Sequence, residues 1–275
     1  MNTLASRFSR NAVALRSHRP LSNDEIAQVA PSILAQTAHE SRSARYSYIP
    51  TINVLDALRK EGFQPFMVCQ TRVRDDDRRA YTKHLVRMRH VGDIAGREAN
   101  EIILLNSHDG SSSFQLVGGC FRFVCQNGMV CGDTIADIRV PHKGDVVGDV
   151  IEGAFRMLDS FEAAAEQREG MMASVLDEGV QTAFARAALA LRYDEDKPAP
   201  VTERQLLAPR RVEDRAPDLW STFSRVQENL IRGGLHGRNA SGRSITTRPV
   251  TAIDQNIRLN RALWVLAHEL RRLRG

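Results

Sequence analysis

Long apolar runs are missing from this chain. No stretch of about 18 apolar residues occurs, the length a helix needs to cross a bilayer, so no membrane-spanning helix is expected. Paired cysteines are missing as well. The four cysteines stand at 69, 120, 125 and 131, the last three spaced C-x4-C-x5-C, whereas zinc sites use C-x-x-C pairs or a close histidine. Residues 120 and 125 differ by an odd number and would face opposite sides of one strand. Reduced thiols serving as small apolar side chains are therefore expected, a cytosolic pattern. The eight histidines are scattered without an H-x-x-x-H or H-x-x-E-H arrangement. No P-loop is present, and Gly118-Gly119 lacks the strand–glycine–helix context of a dinucleotide site. No metal, no cofactor and no catalytic residue is expected. Met1–Arg19 carries Arg7, Arg10, Arg16 and Arg19 without an apolar core, which fits a basic arm and not a secretory signal. The expected location is cytoplasmic.

What is present is ordinary globular material. Hydrophobic residues make up 42% and charged residues 26% of the 275, enough for one substantial domain, or one domain plus a helical appendage. Residues 1–45 read as a polar, basic arm with a helix near Asp24–Ala30, capped by Ser22 or Asn23. Thr51 is placed to cap a helix with Val54, Leu55 and Leu58 on one face, which Gly62 ends. The apolar period then falls to two. Phe66–Arg74 and Thr82–His90 read as a hairpin, Glu101–Asn106 as a third strand and Phe114–Cys125 as a fourth, with a bulge at Gly118-Gly119. Asn127-Gly128 signals a two-residue hairpin turn, and Ile135–Val140 a closing strand. From Val146 the pattern is helical, with Val150, Ile151, Ala154, Leu158 and Phe161 on one face. Further helices are expected at Glu178–Arg192, after Thr202, at Trp220–Ile231 (amphipathic) and at Ile253–Leu273. The expected fold is α+β: a mainly antiparallel hairpin meander packed by a long helix, then a helical C-terminal region. Its divisions are 1–45, a core of 46–192, and 193–275 with a mobile Gly/Ser/Arg-rich loop at 233–249.

The net charge of +5 and pI near 9.3 favour an acidic partner. Residues 72–89 hold seven cations and three acids. Strand parity places Arg72, Arg74, Lys83, Arg87 and Arg89 on one hairpin face, with Arg78 and Arg79 at its tip. Five cations on one face repel unless an anion offsets them, and a nucleic-acid backbone would do so by releasing counterions. A solvated face that blocks edge pairing is the alternative at this point. The second basic stretch, 233–249, holds Arg238, Arg243 and Arg248 and no acid. Asn106-Ser107-His108-Asp109 superficially suggests a catalytic cluster. Adjacent strand residues point oppositely, so it fits a turn whose side chains hold backbone groups, with Asn106, Ser107 and His108 as candidate phosphate or base contacts. Glu195-Asp196-Lys197 has the E-x-K spacing of many nucleases, yet it sits beside Pro198 between helices, where no strand would hold it.

Five long blocks carry a resemblance: HESRSARYSYIPTINVLDALRKEGFQPF, EIILLNSHDGSSSFQLVGGCFRFVCQNGMVCGD, RVPHKGDVVGDVIEGA, DLWSTFSRVQENLIRGGL and IRLNRALWVLAHELRR. They resemble the signature blocks of the YafZ/YfjQ-like family, with similarity running from Leu4 to the C-terminus. That resemblance implies a plasmid or prophage habitat and no particular activity. The order Ser-x-Arg, Tyr-x-Ile-Pro, short helix, Gly-Phe, hairpin, third strand, long helix is similar to single-strand annealing proteins of the Rad-fifty-two and Sak type. It implies a β-β-β-α core, ring assembly and a basic groove over the hairpin from Arg72 to Arg89. The longer third and fourth strands and the C-terminal helices depart from that pattern, and fold alone does not fix function. The leading expectation is a non-enzymatic protein that binds or anneals single-stranded DNA as a homo-oligomer. Tyr46, Tyr48 and Tyr81 are the nearest aromatics for base stacking. Two alternatives stay open: a protein-binding anti-defence or antirestriction factor, and a hydrolase with an unrecognised site.

Overall fold

Strands of period two between Phe63 and Arg139 assemble into one antiparallel sheet, as their alternation requires. The computed structural model describes residues 12–42, 48–93, 98–122, 127–130, 138–139, 146–193 and 198–274. Two compact units divide the chain: Met1–Phe161 with Thr251–Ile253, and Glu162–Val250 with Asp254–Gly275. The boundary falls inside a helix, not after residue 192 as the sequence suggested.

In the first unit the strands are β1 (Ala12–Arg16), β2 (Phe63–Thr71), β3 (His84–His90), β4 (Glu98–Asn106), β5 (Gln115–Arg122), β6 (Asn127–Val130) and β7 (Ile138–Arg139). Their order across the sheet is β1-β2-β3-β4-β5-β6, and β7 pairs with β5. Every pairing is antiparallel. The N-terminal region is thus no separate arm, because β1 pairs with β2 over Ala12–Arg16 and Met67–Thr71. Three helices cover one face: α1 (Asn23–Val29), α2 (Thr51–Lys60) and the first part of α3 (Val146–Ala173). Ile26 of α1, Val54, Leu55 and Leu58 of α2, and Val150, Ala154, Met157 and Phe161 of α3 meet Val68, Val86, Met88, Ile102, Leu104 and Leu116 of the sheet. The spacing of these residues is the α-helical stripe that burial against a sheet demands. Ser22 caps α1, its hydroxyl accepting from Glu25 N while the Glu25 carboxylate accepts from Ser22 N.

The opposite face is buried too. Phe66, Cys69, Leu85, Ile103, Leu105 and Val117 are all less than 9% exposed. The run Ile102-Ile103-Leu104-Leu105 therefore fills both sides of β4, as a strand covered on both faces requires. The expected bulge at Gly118-Gly119 is absent: β4 and β5 pair without a shift from Glu98↔Arg122 to Leu105↔Gln115. The irregularity lies at Pro65/Met67 in β2, where proline has no N–H for the ladder. Gly119 serves close approach instead. A Cβ there would stand 2.8 Å from Ile103 Cδ1 and 2.9 Å from the Met129 carbonyl oxygen. Asn127-Gly128 is also not the turn. Both lie in β6, paired with Arg122 and Phe121, so the connection is 123–126, outside the described residues.

In the second unit α4 (Glu178–Arg192), α5 (Glu203–Leu207), α6 (Leu219–Arg232) and α7 (Ile253–Leu273) follow the latter part of α3. Asp177 and Asp218 cap α4 and α6 through the amides of Val180 and Ser221. Trp220, Phe223 and Trp264 pack at ring separations of 5.5–6.5 Å. α6 is not amphipathic in its surroundings: every residue from Leu219 to Ile231 is buried. The expected mobile loop at 233–249 is an ordered hairpin of β8 (His236–Arg238) and β9 (Ser244–Thr246).

Gly119→Ala is expected to destabilise the protein by about 1–3 kcal/mol, because the methyl meets a backbone carbonyl that cannot rotate away. Urea denaturation of the two proteins measures it, and equal midpoints would show that β6 yields there.

Candidate nucleic-acid interface

The β2–β3 connection does not form the single cationic face that parity suggested. β2 ends at Thr71 and β3 begins at His84, so Arg72, Arg74, Arg78, Arg79 and Lys83 lie in the turn and not on strands. The four arginines are exposed and Lys83 is half-buried. Asp75, Asp76 and Asp77 are exposed among them, and Asp75 Oδ1 accepts from Asp77 N at 3.1 Å. Register decides the rest. Gln70 pairs with His84 and Cys69 with Leu85, which puts the Gln70 side of β2 with His84 and Val86. Arg87 and Arg89 belong to the other side.

Arg87 and Arg89 are buried, 5% and 1% exposed, and their partner is Glu101 of β4, which is fully buried. Arg87 Nη1 donates to Glu101 Oε2 at 2.7 Å, and Arg89 Nε donates to Oε1 at 2.9 Å. The Arg89 guanidinium lies 4.5 Å over the Phe66 ring, and Arg87 Nη2 reaches the Met129 carbonyl at 3.4 Å. These two residues are structural ion-pair members and contact no external phosphate. The sequence signal was Glu101 itself, an acid sharing strand parity with Ile103 and Leu105.

The Asn106–Asp109 segment is likewise closed. Asn106, Ser107 and His108 are 0–1% exposed, so none can touch a nucleic acid. Ser107 Oγ accepts from Ser112 N at 2.8 Å and donates to Ser112 O at 3.1 Å, while Asp109 Oδ1 accepts from Ser111 N at 2.9 Å. Beside this turn lies a buried polar cluster that the sequence did not reveal: Ser32, Thr51, Gln70, His84 and His108. The Thr82 carbonyl accepts from His84 Nδ1 at 3.1 Å, which fixes the proton on that nitrogen. His84 Nε2 must then accept from the Thr51 hydroxyl at 2.8 Å, whose oxygen accepts from Asn106 Nδ2 at 3.0 Å. Ser32 Oγ donates to Gln70 Oε1 at 2.8 Å. Thr51 thus does not cap α2; Pro50 holds the cap position and the hydroxyl serves His84. The His84 and His108 rings are 5.0 Å apart. Burial lowers His84 to about 3, with His108 adding to the effect and the Thr82 carbonyl opposing it. Burial lowers His108 to about 4, opposed by the Ser32 backbone and Asp109. Two neutral, enclosed rings brace the segments that meet here and offer no exposed acid or base to a substrate.

Among the other expected candidates, Tyr48 donates to the Ala35 carbonyl at 2.6 Å with its ring on His108, and Tyr81 sets its ring edge against His39. Tyr46 and the Glu195-Asp196-Lys197 string lie outside the described residues. Cys69 and Cys120 are buried thiols, and burial pushes Cys69 up to about 12. Cys125 and Cys131 lie outside the described residues, and among the described residues no group of three His, Cys, Asp or Glu could hold a metal.

The β8–β9 hairpin of the second unit carries the remaining candidates. Gly237 lets it sit on the chain at Pro200: Arg238 N donates to Pro200 O at 2.9 Å, and a Cβ on Gly237 would fall 1.8 Å from that oxygen. Strand alternation then turns His236, Arg238, Ser244 and Thr246 outward, and all four are exposed, as are Arg243 and Arg248. Asn239 Oδ1 accepts from Ser241 N and Arg243 N, and Arg238 Nη1 donates to Gly242 O at 3.0 Å, so the tip is held by its own side chains.

A family profile described as a domain of unknown function, DUF932, matches residues 38–264. The chain is 56% identical over 270 residues to the UPF0380 protein YfjQ of Escherichia coli strain K12, covering 98% of each sequence. It is 55% identical over 270 residues to the UPF0380 protein YafZ of the same organism, again over 98% of each. No solved structure matches it.

Glu101→Gln is expected to cost about 3–5 kcal/mol, since it leaves two buried guanidiniums without their counter-charge; a change under 1 kcal/mol in urea would show the pairs to be dispensable. A second expectation concerns acid. Both histidines titrate below their ordinary value of 6.5 when folded, so the unfolded chain takes up protons first. Their contribution is complete above about pH 6.5 and is lost as pH falls toward about 4 for His108 and about 3 for His84, by about 2 kcal/mol per ring at pH 5. The urea midpoint should therefore fall between pH 7.5 and 5, and less so in His84→Gln. An equal fall in both proteins would remove His84 from the explanation.

Proposed function

The chain belongs to the DUF932 family, and we propose that it acts as a single-stranded nucleic-acid-binding or strand-annealing accessory protein of a plasmid or prophage, working as an oligomer without a catalytic step. The observation that carries this proposal is the outward face of the β8–β9 hairpin. It sets Arg238, Arg243 and Arg248 beside the hydroxyls of Ser244 and Thr246 in a stretch, 233–249, that contains no acid. Guanidiniums and hydroxyls are the donors that hold phosphate oxygens, and an acid-free surface adds no repulsion to the backbone. Arg72, Arg74, Arg78, Arg79 and Lys83 form a second contact in this proposal, weakened by the three aspartates among them. The preference for single strands is supported by the element order of the first unit, a short helix, antiparallel strands and a long helix, which is similar to that of annealing proteins. A protein partner is the second reading. It is favoured by an apolar groove between α4 and α7, where Leu191 and Val265 are 42% and 44% exposed.

Fluorescence anisotropy with a labelled oligothymidine, titrated with salt, tests the proposal. Each phosphate contact contributes roughly 0.7 to the log–log slope for a single strand, so Arg238→Gln, Arg243→Gln and Arg248→Gln together should lower it by about 2. A wild-type protein that ignores the oligonucleotide at low salt would end this reading and leave the groove's partner as the one to seek.

A further inference from the structure

The C-terminal turn of α6 gathers more arginines than helix capping uses. A helix end leaves a few carbonyls open, and one cation near it is enough for a modest gain. Here Arg192 donates to the carbonyls of Leu230 and Arg248. Arg210 donates to the Gly233 carbonyl and to Asn229 Oδ1, both at 2.6 Å. Arg211 grips both oxygens of Glu228 at 2.7 and 2.8 Å, and Arg232 shares the same carboxylate at 2.8 Å. Two buried acids, Glu228 and Asp214, are among the partners of these side chains, and Arg211 binds each of them. Four guanidiniums thus converge on one helix end, two of them on backbone carbonyls and two on Glu228.

The turn is continuous with the hairpin. The chain passes from Arg232 through Gly233-Gly234 into β8 and returns so that the Arg248 backbone lies against Gly233, where a Cβ would stand 2.7 Å from the Arg248 carbonyl. Gly234 N donates to Thr247 O at 2.8 Å. Burial lowers the Arg210 pKa, and Arg232 and Arg211 lower it further against the attraction of Glu228. Burial lowers Arg192 as well. Crowded cations in a partly desolvated place are what an anion would relieve.

We propose that the phosphate-binding surface extends from the β8–β9 hairpin onto the C-terminal turn of α6, with Arg232 as an added phosphate contact and Arg192 and Arg210 as positioning residues that lock the hairpin base. Arg232 is half exposed while one of its nitrogens stays on Glu228, so its guanidinium is pre-oriented at the surface. Arg192 clasps one carbonyl of α6 and that of Arg248, just past β9, with two nitrogens of one planar fork, a fixed spacing that lysine's single ammonium does not reproduce. The inference rests on the nucleic-acid reading above.

Two variants and a second probe test it. Arg232→Gln should lower the salt slope for oligothymidine by roughly 0.7, with an unchanged unfolding midpoint as the check on folding. Arg192→Lys keeps the charge, and should bind several-fold more weakly at an unchanged slope, with faster amide exchange across 234–247 in the free protein. In the wild type, oligothymidine should slow amide exchange at 229–235, a readout that needs no variant. The inference is overturned, with the nucleic-acid reading intact, if both variants bind as wild type and protection appears only at 72–83. If the wild type ignores oligothymidine but binds inorganic polyphosphate through Arg232, the nucleic-acid reading falls and the phosphate surface stands. Binding neither polyanion sinks both.

Discussion

Glu101 sits wholly buried between Arg87 and Arg89, and the character of the central sheet follows from that carboxylate. Two guanidiniums could not be buried here, one of them over the Phe66 ring, without a counter-charge, because burial of an unpaired cation costs far more than the packing around it returns. With the carboxylate in place, β3 and β4 can be covered on their second face as well as their first. The row continues across the sheet to Gly119, whose missing side chain leaves the Met129 carbonyl within reach of Arg87. The sheet is consequently a double-sided core. Any polyanion has to be met by the turns and edges of the first unit, or by the second unit.

A comparable substitution of polar order for apolar packing organises the second unit. α6 is buried from Leu219 to Ile231, yet Thr222, Ser224, Arg225, Gln227, Glu228 and Asn229 all lie on it. Its polar side chains fasten neighbours: Asn229 Nδ2 donates to the Leu206 and Ala208 carbonyls, Arg225 to the Asp214 carbonyl, and Gln227 to Asn260. Such directional bonds define where the neighbouring segments sit more sharply than apolar contact alone, since each fixes a distance and an angle. The position of the hairpin beyond Gly233 inherits that definition.

Periodicity made most elements legible. Helices α4 and α7 occur over the expected residues, and the stripe of Val150, Ala154 and Phe161 faces the sheet because no other spacing closes a helix on a strand layer. What failed were inferences that needed two strands at once. Parity sorts the faces of one strand, but the face shared by Arg72 and Arg87 depended on the β2–β3 register, which the pairing of Gln70 with His84 sets against it. The unbroken run Ile102–Leu105 already implied burial on both sides, and Glu101 beside it was a buried counter-charge written in plain view. Asn127-Gly128 has the composition of a turn but pairs as a strand, since local preference yields to the ladder. The polar cluster around His84 left no mark, because its five members come from five separate segments and each reads as an ordinary polar residue.

Between the two basic segments, the placement of acids decides more than the number of cations. The β2–β3 connection has five cations, and three aspartates stand in the middle of it at 75, 76 and 77. Arg74 and Arg78 are sequence neighbours of these aspartates, and repulsion between a phosphate and a nearby carboxylate offsets part of a contact made there. The hairpin at 233–249 has only three arginines, but no carboxylate lies among them, and its shape is held by Pro200, Asn239 and the clasp of Arg192. Its cations are therefore pre-arranged in a stretch that supplies no acid of its own, whereas those of the connection share theirs with three aspartates. The proposed extension onto the end of α6 follows the same reasoning: Glu228 and Asp214, the acids that Arg211 holds there, are buried, so neither places a competing carboxylate at the surface.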